Sequence, residues 1–310
     1  MKRFSKALLI GLASALALGA ANADAASSKA ASAKGAGCDR ACLTGMADRY
    51  VDAMLKQKPE SLPWAKTVRF SEEGVSVMVG DALWGSIRTA QKPVMYAADP
   101  STGQVAYFGI VGEHGDLAYL ALRLKVEGGK ISEVESVLSR TAPFDDGAPF
   151  KFEPAFGETL AAGARKPRAA LIAAVNAYLD NSLHNDGKVT APVASDCTRM
   201  DNGKAGDPAL GQGCAAQLKL GAYSANNRIR SRAFPIVDEA RGVVVVTGVA
   251  DFSARADTFK TSDGVSHPTK TIYPESTAFT QMFKIGAGGI QRIETVSTWQ
   301  PYLMPSPWTR

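Results

Sequence analysis

The chain has 310 residues, of which 45% are hydrophobic and 21% charged, and its formal net charge is +5 at pH 7. This composition is typical of a globular protein, and the length is enough for two domains with hydrophobic cores. Lys2, Arg3 and Lys6 contribute part of the positive charge, and no Lys/Arg cluster with interleaved aromatic residues occurs, which argues against a nucleic-acid partner.

Residues 1–25 have the features of a secretory signal peptide. A basic start is followed by an apolar run, Ala7 to Ala21, and by small residues suited to cleavage. The run is shorter than the roughly 20 residues that a membrane-spanning helix needs. We therefore expect no membrane span and a periplasmic or secreted protein. Residues 26–37 are Ala, Ser, Gly and Lys, which predicts a flexible tether.

Four cysteines follow, an even number that predicts disulfides in an exported protein. We expect local pairing of Cys38 with Cys42, one helical turn apart, and of Cys197 with Cys214. The four residues allow three connectivities. Metal ligation is the less favoured alternative, because neither pair has a nearby histidine.

Two parts of the chain resemble each other. Residues 122–137 and 281–296 align without a gap, and each predicts a strand, a glycine turn and a strand. Upstream, residues 49–55 and 177–183 align within two amphipathic helices. The sequence therefore predicts one duplicated unit, with copies at residues 38–142 and 168–310.

The second copy is the longer one. Its extra residues fall in the loops 203–213 and 253–271, which we interpret as mobile loops or lids. Residues 143–167, between the copies, hold four prolines and four phenylalanines. A disordered linker would avoid the phenylalanines, so this segment is expected to be extended but packed against both units.

A third match aligns Arg69 to Gly74 with Arg199 to Gly203. It predicts ion pairs of Arg69 with Glu72 and of Arg199 with Asp201, at a turn beside a pocket. Arg199 is also a candidate clamp for an anionic ligand, since a guanidinium matches a carboxylate.

The order of these elements resembles the NTF2-like (SnoaL-like) superfamily. The similarity includes a long helix, a strand pair with a charged turn, a small helix near Trp84, and strands ending in Gly-Lys-Ile-x-x-x-Glu. The Cys-Asp-Arg-Ala-Cys start, residues 80–85 and the ending 301–308 resemble, more narrowly, an exported tandem NTF2-like family of unknown function. The resemblance implies an α+β fold with two cone-shaped domains, each a curved antiparallel sheet wrapped on a long helix.

Members of that superfamily include isomerases, dehydratases, lyases and proteins that only bind ligands, so the fold implies a pocket and not an activity. The sequence contains no nucleophile elbow, Walker loop, dinucleotide fingerprint or HExxH motif. We therefore expect neither a metal nor another cofactor.

The candidates for acid–base chemistry are Asp251, His267 and Tyr273. Asp251 ends an apolar run and is expected at a pocket mouth, where burial would shift its pKa toward neutrality; a strand-end aspartate entering a loop is the alternative. His267 lies in the longer loop and could meet Asp251 as a lid residue, although a solvated histidine is more common there.

Several residues are candidates for ligand binding. Glu135 and Glu294 recur at one place in the last strand of each copy, and salt bridges to Lys125 and Lys284 would explain them equally well. Aromatic residues would line any cone, although most aromatic residues belong to cores; those singled out are Trp84, Tyr223 and Trp299. Arg228, Arg230 and Arg232 alternate, which predicts one solvated strand face.

Two functions fit this sequence. The favoured one is binding of a small, partly apolar molecule in a conical pocket, preferentially that of the second unit. The alternative is a cofactor-independent isomerase, dehydratase or lyase that uses carboxylate, tyrosine and histidine side chains. In either case we expect a monomer in which the sheet of one unit covers that of the other.

Overall fold

The computed structural model describes residues 38–140, 150, 152–183, 185–206, 208–224, 228–269 and 272–308. The predicted signal peptide and tether, residues 1–37, lie outside these residues. The described chain forms two sheet-rich halves, each with a long helix, so the predicted α+β class is confirmed. No described helix is long and apolar enough to cross a membrane.

The described elements follow one another in a similar order in both halves. The first half contains α1 Arg40–Leu55, β1 Trp64–Glu72, β2 Val75–Ser76, α2 Leu83–Ser86, β3 Ile87–Ala90, β4 Met95–Asp99, β5 Gln104–Glu113, β6 Asp116–Glu127 and β7 Lys130–Ser139. The second half contains α3 Arg168–Leu183, β8 Val193–Asp201, β9 Lys204–Ala205, α4 Cys214–Leu220, β10 Arg228–Asp238, β11 Val243–Phe252, β12 Thr258–Lys260, β13 Ser266–Pro268, β14 Glu275–Gly286 and β15 Gly289–Pro301.

The two large sheets have matching strand orders. The first runs β2-β1-β7-β6-β5-β3, with β4 also paired to β5, and the second runs β9-β8-β15-β14-β11-β10. In each sheet the first long strand lies parallel to the last one, and the other pairs are antiparallel. Strands β12 and β13 form a separate hairpin.

The long helices form where the sequence predicts them. Asp39 is the N-cap of α1, because its side chain accepts a hydrogen bond from the backbone N–H of Cys42. The buried side chains of both helices recur every three or four residues, as an amphipathic helix requires. They include Leu43, Met46, Tyr50, Val51 and Met54 in α1, and Leu171, Val175, Tyr178, Leu179 and Ser182 in α3.

The two predicted hairpins are β6–β7 and β14–β15. Gly128 and Gly129 turn the first with φ of 57° and 76°, and Gly289 ends the turn of the second with φ of 108°. Side chains other than glycine rarely adopt these conformations, which explains the glycines of both repeats.

Three hydrophobic clusters hold the fold together. One lies between α1 and the first sheet, and one lies between α3 and the second sheet. The third lies between the two sheets and joins the halves; it includes Phe108, Tyr119 and Val137 with Val243, Val245, Met282 and Val296. Each sheet is therefore covered by a helix on one face and by the other sheet on the opposite face.

The described part of the predicted linker belongs to this third cluster. Phe156 is buried there, and the rings of Phe150 and Phe152 lie 4.7 and 6.4 Å from that of Tyr119. Phe144 lies outside the described residues. The segment thus packs along the interface between the sheets.

The C-terminal segment, residues 300–308, connects the second half to the first. Gln300 donates a hydrogen bond to the carbonyl of Glu73 at 2.6 Å, and the indole of Trp308 donates one to Ser71 at 2.8 Å. The central carbons of the Arg69 and Arg123 guanidinium groups lie 4.4 and 4.6 Å from the centre of the Trp308 ring. Two cation–π contacts of this kind stabilise the attachment.

The disulfides join Cys38 to Cys42 and Cys197 to Cys214, as predicted. They are compatible with an exported protein. The second disulfide closes the longer loop, with a sequence separation of 17 against 4. Because a disulfide restricts the unfolded chain more when its loop is longer, the two bonds should contribute unequally.

We expect replacement of Cys197 and Cys214 by serine to lower the free energy of unfolding by about 3 kcal/mol, measured by urea denaturation. The matched control is Cys38→Ser with Cys42→Ser, which should have a smaller effect. Equal losses in the two double variants would contradict this prediction.

Candidate functional site

The candidate site lies on the helix-covered face of the second sheet and contains Arg199 of β8. Arg199 is in register with Ile293, a core residue of this face, so its side chain points toward α3. Its guanidinium donates to the carboxylate of Asp201 at 2.7 and 2.8 Å and to the hydroxyl of Tyr178 at 3.2 Å. The predicted ion pair of Arg199 with Asp201 is confirmed.

Tyr223 provides the opposite wall of the site. The central carbon of the Arg199 guanidinium lies 5.3 Å from the centre of the Tyr223 ring, a cation–π distance. The Tyr223 hydroxyl donates to Gln217 of α4 at 2.5 Å, and its backbone N–H donates to Asn185 at 3.0 Å. Two residues predicted to bind a ligand, Arg199 and Tyr223, are thus brought together.

The disulfide explains why Tyr223 reaches Arg199. It links Cys197, two residues before Arg199, to Cys214 at the start of α4. Helix α4 is thereby fixed against β8, and it ends at Gly221, whose left-handed conformation (φ 76°) is the usual way to terminate a helix. Tyr223 follows directly from this turn.

The site is suited to binding through charge and stacking. Burial acts to lower the pKa of Arg199, but the charge of Asp201 outweighs it and the pKa lies well above its ordinary value. Burial raises the pKa of Tyr223 well above 10. At neutral pH the pair is therefore a permanent cation against a neutral phenol, and neither group exchanges a proton readily.

The loop between β11 and β14 contacts the end of α4, close to this site. It forms the β12–β13 hairpin, and Ser262 at its tip donates two hydrogen bonds of 2.8 Å, from its N–H to Leu220 and from its hydroxyl to Lys219. Both acceptors are carbonyls at the end of α4. His267 lies in this hairpin, where its ring stacks on Phe259 with centroids 5.6 Å apart.

Asp251 lies on the other face of the sheet. It is only 1% exposed and shares its face of β11 with Val243 and Val245, which pack against the first sheet. Its carboxylate accepts hydrogen bonds from Arg228, Arg230 and Ser276 at 2.8, 3.0 and 2.6 Å. The predicted position at a pocket mouth is therefore wrong.

The direction of the predicted pKa shift of Asp251 is also wrong. Burial raises the pKa, but the hydrogen bonds from Arg230, Ser276 and Arg228 outweigh it, and the pKa lies below the ordinary value. Asp251 is thus an ionised anchor for two arginines. Its predicted catalytic role, with His267 and Tyr273, stays a prediction; the side chain of Tyr273 is 73% exposed just before β14.

The three alternating arginines do not share one face. Ser231 has a positive φ of 54°, and the register of β10 against β11 shifts between Arg230 and Ala233. This bulge turns Arg232 to the opposite face, where it pairs with Asp180 of α3 at 2.6 Å. The predicted solvated face is therefore wrong, since Arg228 and Arg230 bind Asp251.

Glu135 and Glu294 lie between the two sheets, away from the helix-covered faces. Glu135 pairs with Arg123 at 2.8 Å, whereas the Lys125 ammonium is within ion-pair distance of Glu127 and Glu133. The Lys284 ammonium donates to the carbonyls of Glu158 and Arg241, both at 2.7 Å. The predicted salt bridges of the two glutamates to Lys125 and Lys284 are therefore wrong.

Glu294 faces Tyr119 across the interface between the halves. Glu294 is 2% exposed. Its carboxyl lies beside the Tyr119 hydroxyl, but the Tyr119 hydroxyl and Oε1 of Glu294 have no well-aligned hydrogen bond among the described residues. Burial raises the pKa of Glu294 to about 8, although the Tyr119 hydroxyl offsets part of the rise. At neutral pH this carboxyl is therefore mostly protonated.

The three aromatic candidates have different positions. Trp84 is fully buried in the first core, and its indole donates to the Tyr50 hydroxyl at 3.0 Å, so it serves the core. Trp299 is 63% exposed and shares its face of β15 with Ile293, on the side of the candidate site. Of the three, Tyr223 alone contacts Arg199.

Arg69 and Arg199 are not equivalent. Arg69 is in register with Glu133 and donates to the Pro307 carbonyl at 2.7 Å, so the predicted pair with Glu72 is wrong. Glu72, in register with Ser136, occupies the place that Asp201, in register with Thr295, has in the second sheet. Arg69 is thus one residue away from the position that corresponds to Arg199, and successive side chains of a strand point to opposite faces. The residue at the position of Arg199 in the first sheet is Phe70.

Sequence reasoning named Glu72 only as an ion-pair partner and missed its buried carboxyl. Its carboxylate accepts hydrogen bonds from the N–H of Leu83 and the hydroxyl of Ser136, at 3.2 Å each. Burial raises its pKa to about 7. Aligning the glycines Gly74 and Gly203, which both follow a residue of positive φ, would have matched Glu72 to Asp201.

No curated protein matches the chain. Residues 37–138 and 164–297 match a family described as "Domain of unknown function (DUF8021)". These two segments include α1, α3 and the strands of both large sheets except Ser139 of β7 and residues 298–301 of β15, and they make up more than half of the chain. The protein therefore belongs to the DUF8021 family.

Proposed function

We propose that this protein binds a small, partly apolar anion against the helix-covered face of its second half, with Arg199 and Tyr223 as the principal contacts. The observation that carries this proposal is the cation–π contact of the Arg199 guanidinium with Tyr223, together with the hydrogen bonds from the same guanidinium to Asp201. Among the described residues, Asp201 and Tyr178 leave part of the guanidinium donor set without an acceptor. A carboxylate is the natural ligand for these donors.

The apolar part of the ligand would contact aromatic side chains of the same face. Phe279 and Phe283 of β14 belong to the core cluster there, and Trp299 extends the face toward solvent. The β12–β13 hairpin would act as a lid, because its tip is attached to the end of α4 next to Tyr223.

The proposal includes a duplicated NTF2-like architecture, with one cone in each half. The matching strand orders and the parallel pairing of the first and last long strands support it. Further support comes from the turns after β1 and β8, where Glu73 and Asn202 both have positive φ and are followed by glycine. Under this proposal the exported protein is a monomer, because its two sheets already cover each other.

Binding is favoured over acid–base catalysis by the state of the candidate groups. Arg199 and Tyr223 keep their protons at neutral pH, and Asp251 is held ionised by two arginines. The observation that favours catalysis is Glu72, a buried carboxyl in the first half whose pKa is raised to about 7. This second function would therefore be located at Glu72.

A matched pair of probes tests the proposal, namely 1-naphthoate and the uncharged 1-naphthalenemethanol. By titration calorimetry, the wild-type protein should bind the carboxylate about tenfold or more tightly than the alcohol, since a hydrogen bond to a charged group contributes roughly 1.5–3 kcal/mol. Arg199→Gln should remove this preference for the carboxylate, and Tyr223→Leu should weaken the binding of both probes.

The control is Arg88→Gln, which removes an exposed arginine of the first half that donates only to nearby carbonyls. It should leave both affinities unchanged, and thermal denaturation should show that all variants fold. A carboxylate preference that survives in Arg199→Gln would contradict the proposed site. Conversion of a bound probe, followed by NMR and lost in Glu72→Gln, would favour catalysis instead.

A further inference from the structure

An open cleft of about 570 Å³ lies beside α1, and neither Arg199 nor Tyr223 lines it. Its walls come from three places in the chain: Asp39, Arg40, Thr44 and Asp48 along α1, Tyr96 of β4, and Arg241 of the β10–β11 turn. None of the predicted site residues lines it. A volume of this size is in the range of small-molecule sites.

Arg241 is a cation of this cleft that no carboxylate among the described residues contacts at ion-pair distance. Arg40 forms an ion pair with Asp238 at 2.6 Å, whereas the Arg241 guanidinium has neither an ion pair nor a hydrogen bond among the described residues. Burial and the charge of Arg40 lower the pKa of Arg241, and the charge of Asp238 opposes this shift only in part. A bound anion would stabilise this half-buried charge.

The other end of the cleft is acidic. Asp48 accepts hydrogen bonds from the Tyr96 hydroxyl at 2.5 Å and from Lys92 at 3.0 Å. A carboxylate has about four acceptor positions, so it can accept further donors. The pair with Lys92 is exposed and therefore contributes little. A cationic group of a ligand can replace Lys92 at small cost.

The distance between these two ends follows from helix geometry. Arg40, beside Arg241, and Asp48 are eight residues apart on α1, which corresponds to about 12 Å at 1.5 Å per residue. An extended chain of three or four residues spans about this length. The wall between them consists of the small side chains of Ala41 and Thr44, which leave room for a backbone.

We propose that the α1 cleft binds a short peptide of three or four residues, with its C-terminal carboxylate at Arg241 and its N-terminal ammonium at Asp48. The small residues of the wall provide no deep side-chain pocket, so recognition rests on the two termini and on length. This site is independent of the one formed by Arg199 and Tyr223.

The probes are tetra-alanine, its C-terminal amide and its N-acetyl derivative, titrated into the full-length protein and followed by calorimetry. Tetra-alanine should bind saturably, and either blocked form should bind about three- to tenfold more weakly, as expected for partly exposed ion pairs. Arg241→Gln should bind the acid and the amide equally. Asp48→Asn should bind the free and the N-acetylated peptides equally.

The control is Arg49→Gln, since Arg49 is an exposed residue of the same helix and does not line the cleft. It should retain the wild-type preference for both free termini. Absence of saturable binding of tetra-alanine, or a preference for the free carboxylate that persists in Arg241→Gln, would overturn the proposal. Because naphthoate binding depends on Arg199, these results are distinguishable from failure of the proposed function.

Discussion

Arg123→Met is expected to lower the free energy of unfolding by about 3–5 kcal/mol at neutral pH, the typical effect of removing one partner from a buried ion pair. Arg123 is 4% exposed and lies in the interface between the halves. It donates to Glu135 and Glu133 at 2.8 Å each and to Gln104 at 2.7 Å. The substitution removes the cation that pairs with Glu135 and most closely with Glu133, and it also removes one of the two guanidinium groups that contact Trp308.

The loss should depend on pH. Burial already raises the pKa of Glu135 although Arg123 opposes the rise, so without Arg123 this carboxyl will bind a proton still more readily. A protonated Glu135 needs no cation, and the deficit of Arg123→Met should therefore shrink as the pH falls. Urea denaturation followed by tryptophan fluorescence at several pH values measures this.

The control is the triple variant Arg123→Met, Glu133→Gln, Glu135→Gln, in which no carboxylate is left uncompensated. It should recover most of the lost stability, because replacing a whole buried ionic cluster is often nearly neutral. A deficit that is the same at acid and alkaline pH, and that persists in the triple variant, would show that packing and not charge explains the effect.

The second large effect concerns Glu294, whose folded-state pKa is raised to about 8. The folded protein binds this proton more tightly than the unfolded chain does. The contribution of the protonated Glu294 to the free energy of unfolding is therefore complete below the ordinary pKa of a glutamate, and it is lost as the pH rises through about 8. We expect the unfolding free energy of the wild-type protein to fall by up to roughly 5 kcal/mol between these limits. Glu294→Gln should remove this part of the slope.

Glu72, with a pKa raised to about 7, also makes the free energy of unfolding fall as the pH rises. This second part of the pH dependence should remain in Glu294→Gln and disappear in the double variant Glu294→Gln, Glu72→Gln. The control is Glu60→Gln at an exposed position of the first half, which should reproduce the wild-type slope. Identical slopes for wild type and Glu294→Gln would refute the assigned role of Glu294.

Local patterns predicted much of the fold. The stripes of α1 and α3 and the glycine turns of the two repeated hairpins depend on residues a few positions apart, and the structure confirms them. The pairing of Cys197 with Cys214 and the pair of Arg199 with Asp201 are also local. Tyr223 was a candidate only as one of several aromatic residues, and its contact with Arg199 depends on the disulfide-linked helix α4.

Faces of strands were harder to predict, because the central strands are buried on both sides. Nearly every residue of β11 is buried, so it shows no alternation that separates the helix-covered face from the other one. The face of the sheet on which Asp251 lies therefore does not follow from the sequence pattern. The bulge at Ser231 and the register of Arg69 depend on cross-strand pairing, which a single sequence does not encode locally.

The attachment of Trp308 to the first half has a consequence for biogenesis. The residues that hold the halves together follow the first sheet in the chain, so the first sheet is made before its covering partner. Its face with Phe108 and Tyr119 would remain uncovered until the second sheet has been synthesised. Growth at high expression should therefore make this protein dependent on holdase chaperones, and truncation near residue 300 should trap it in aggregates.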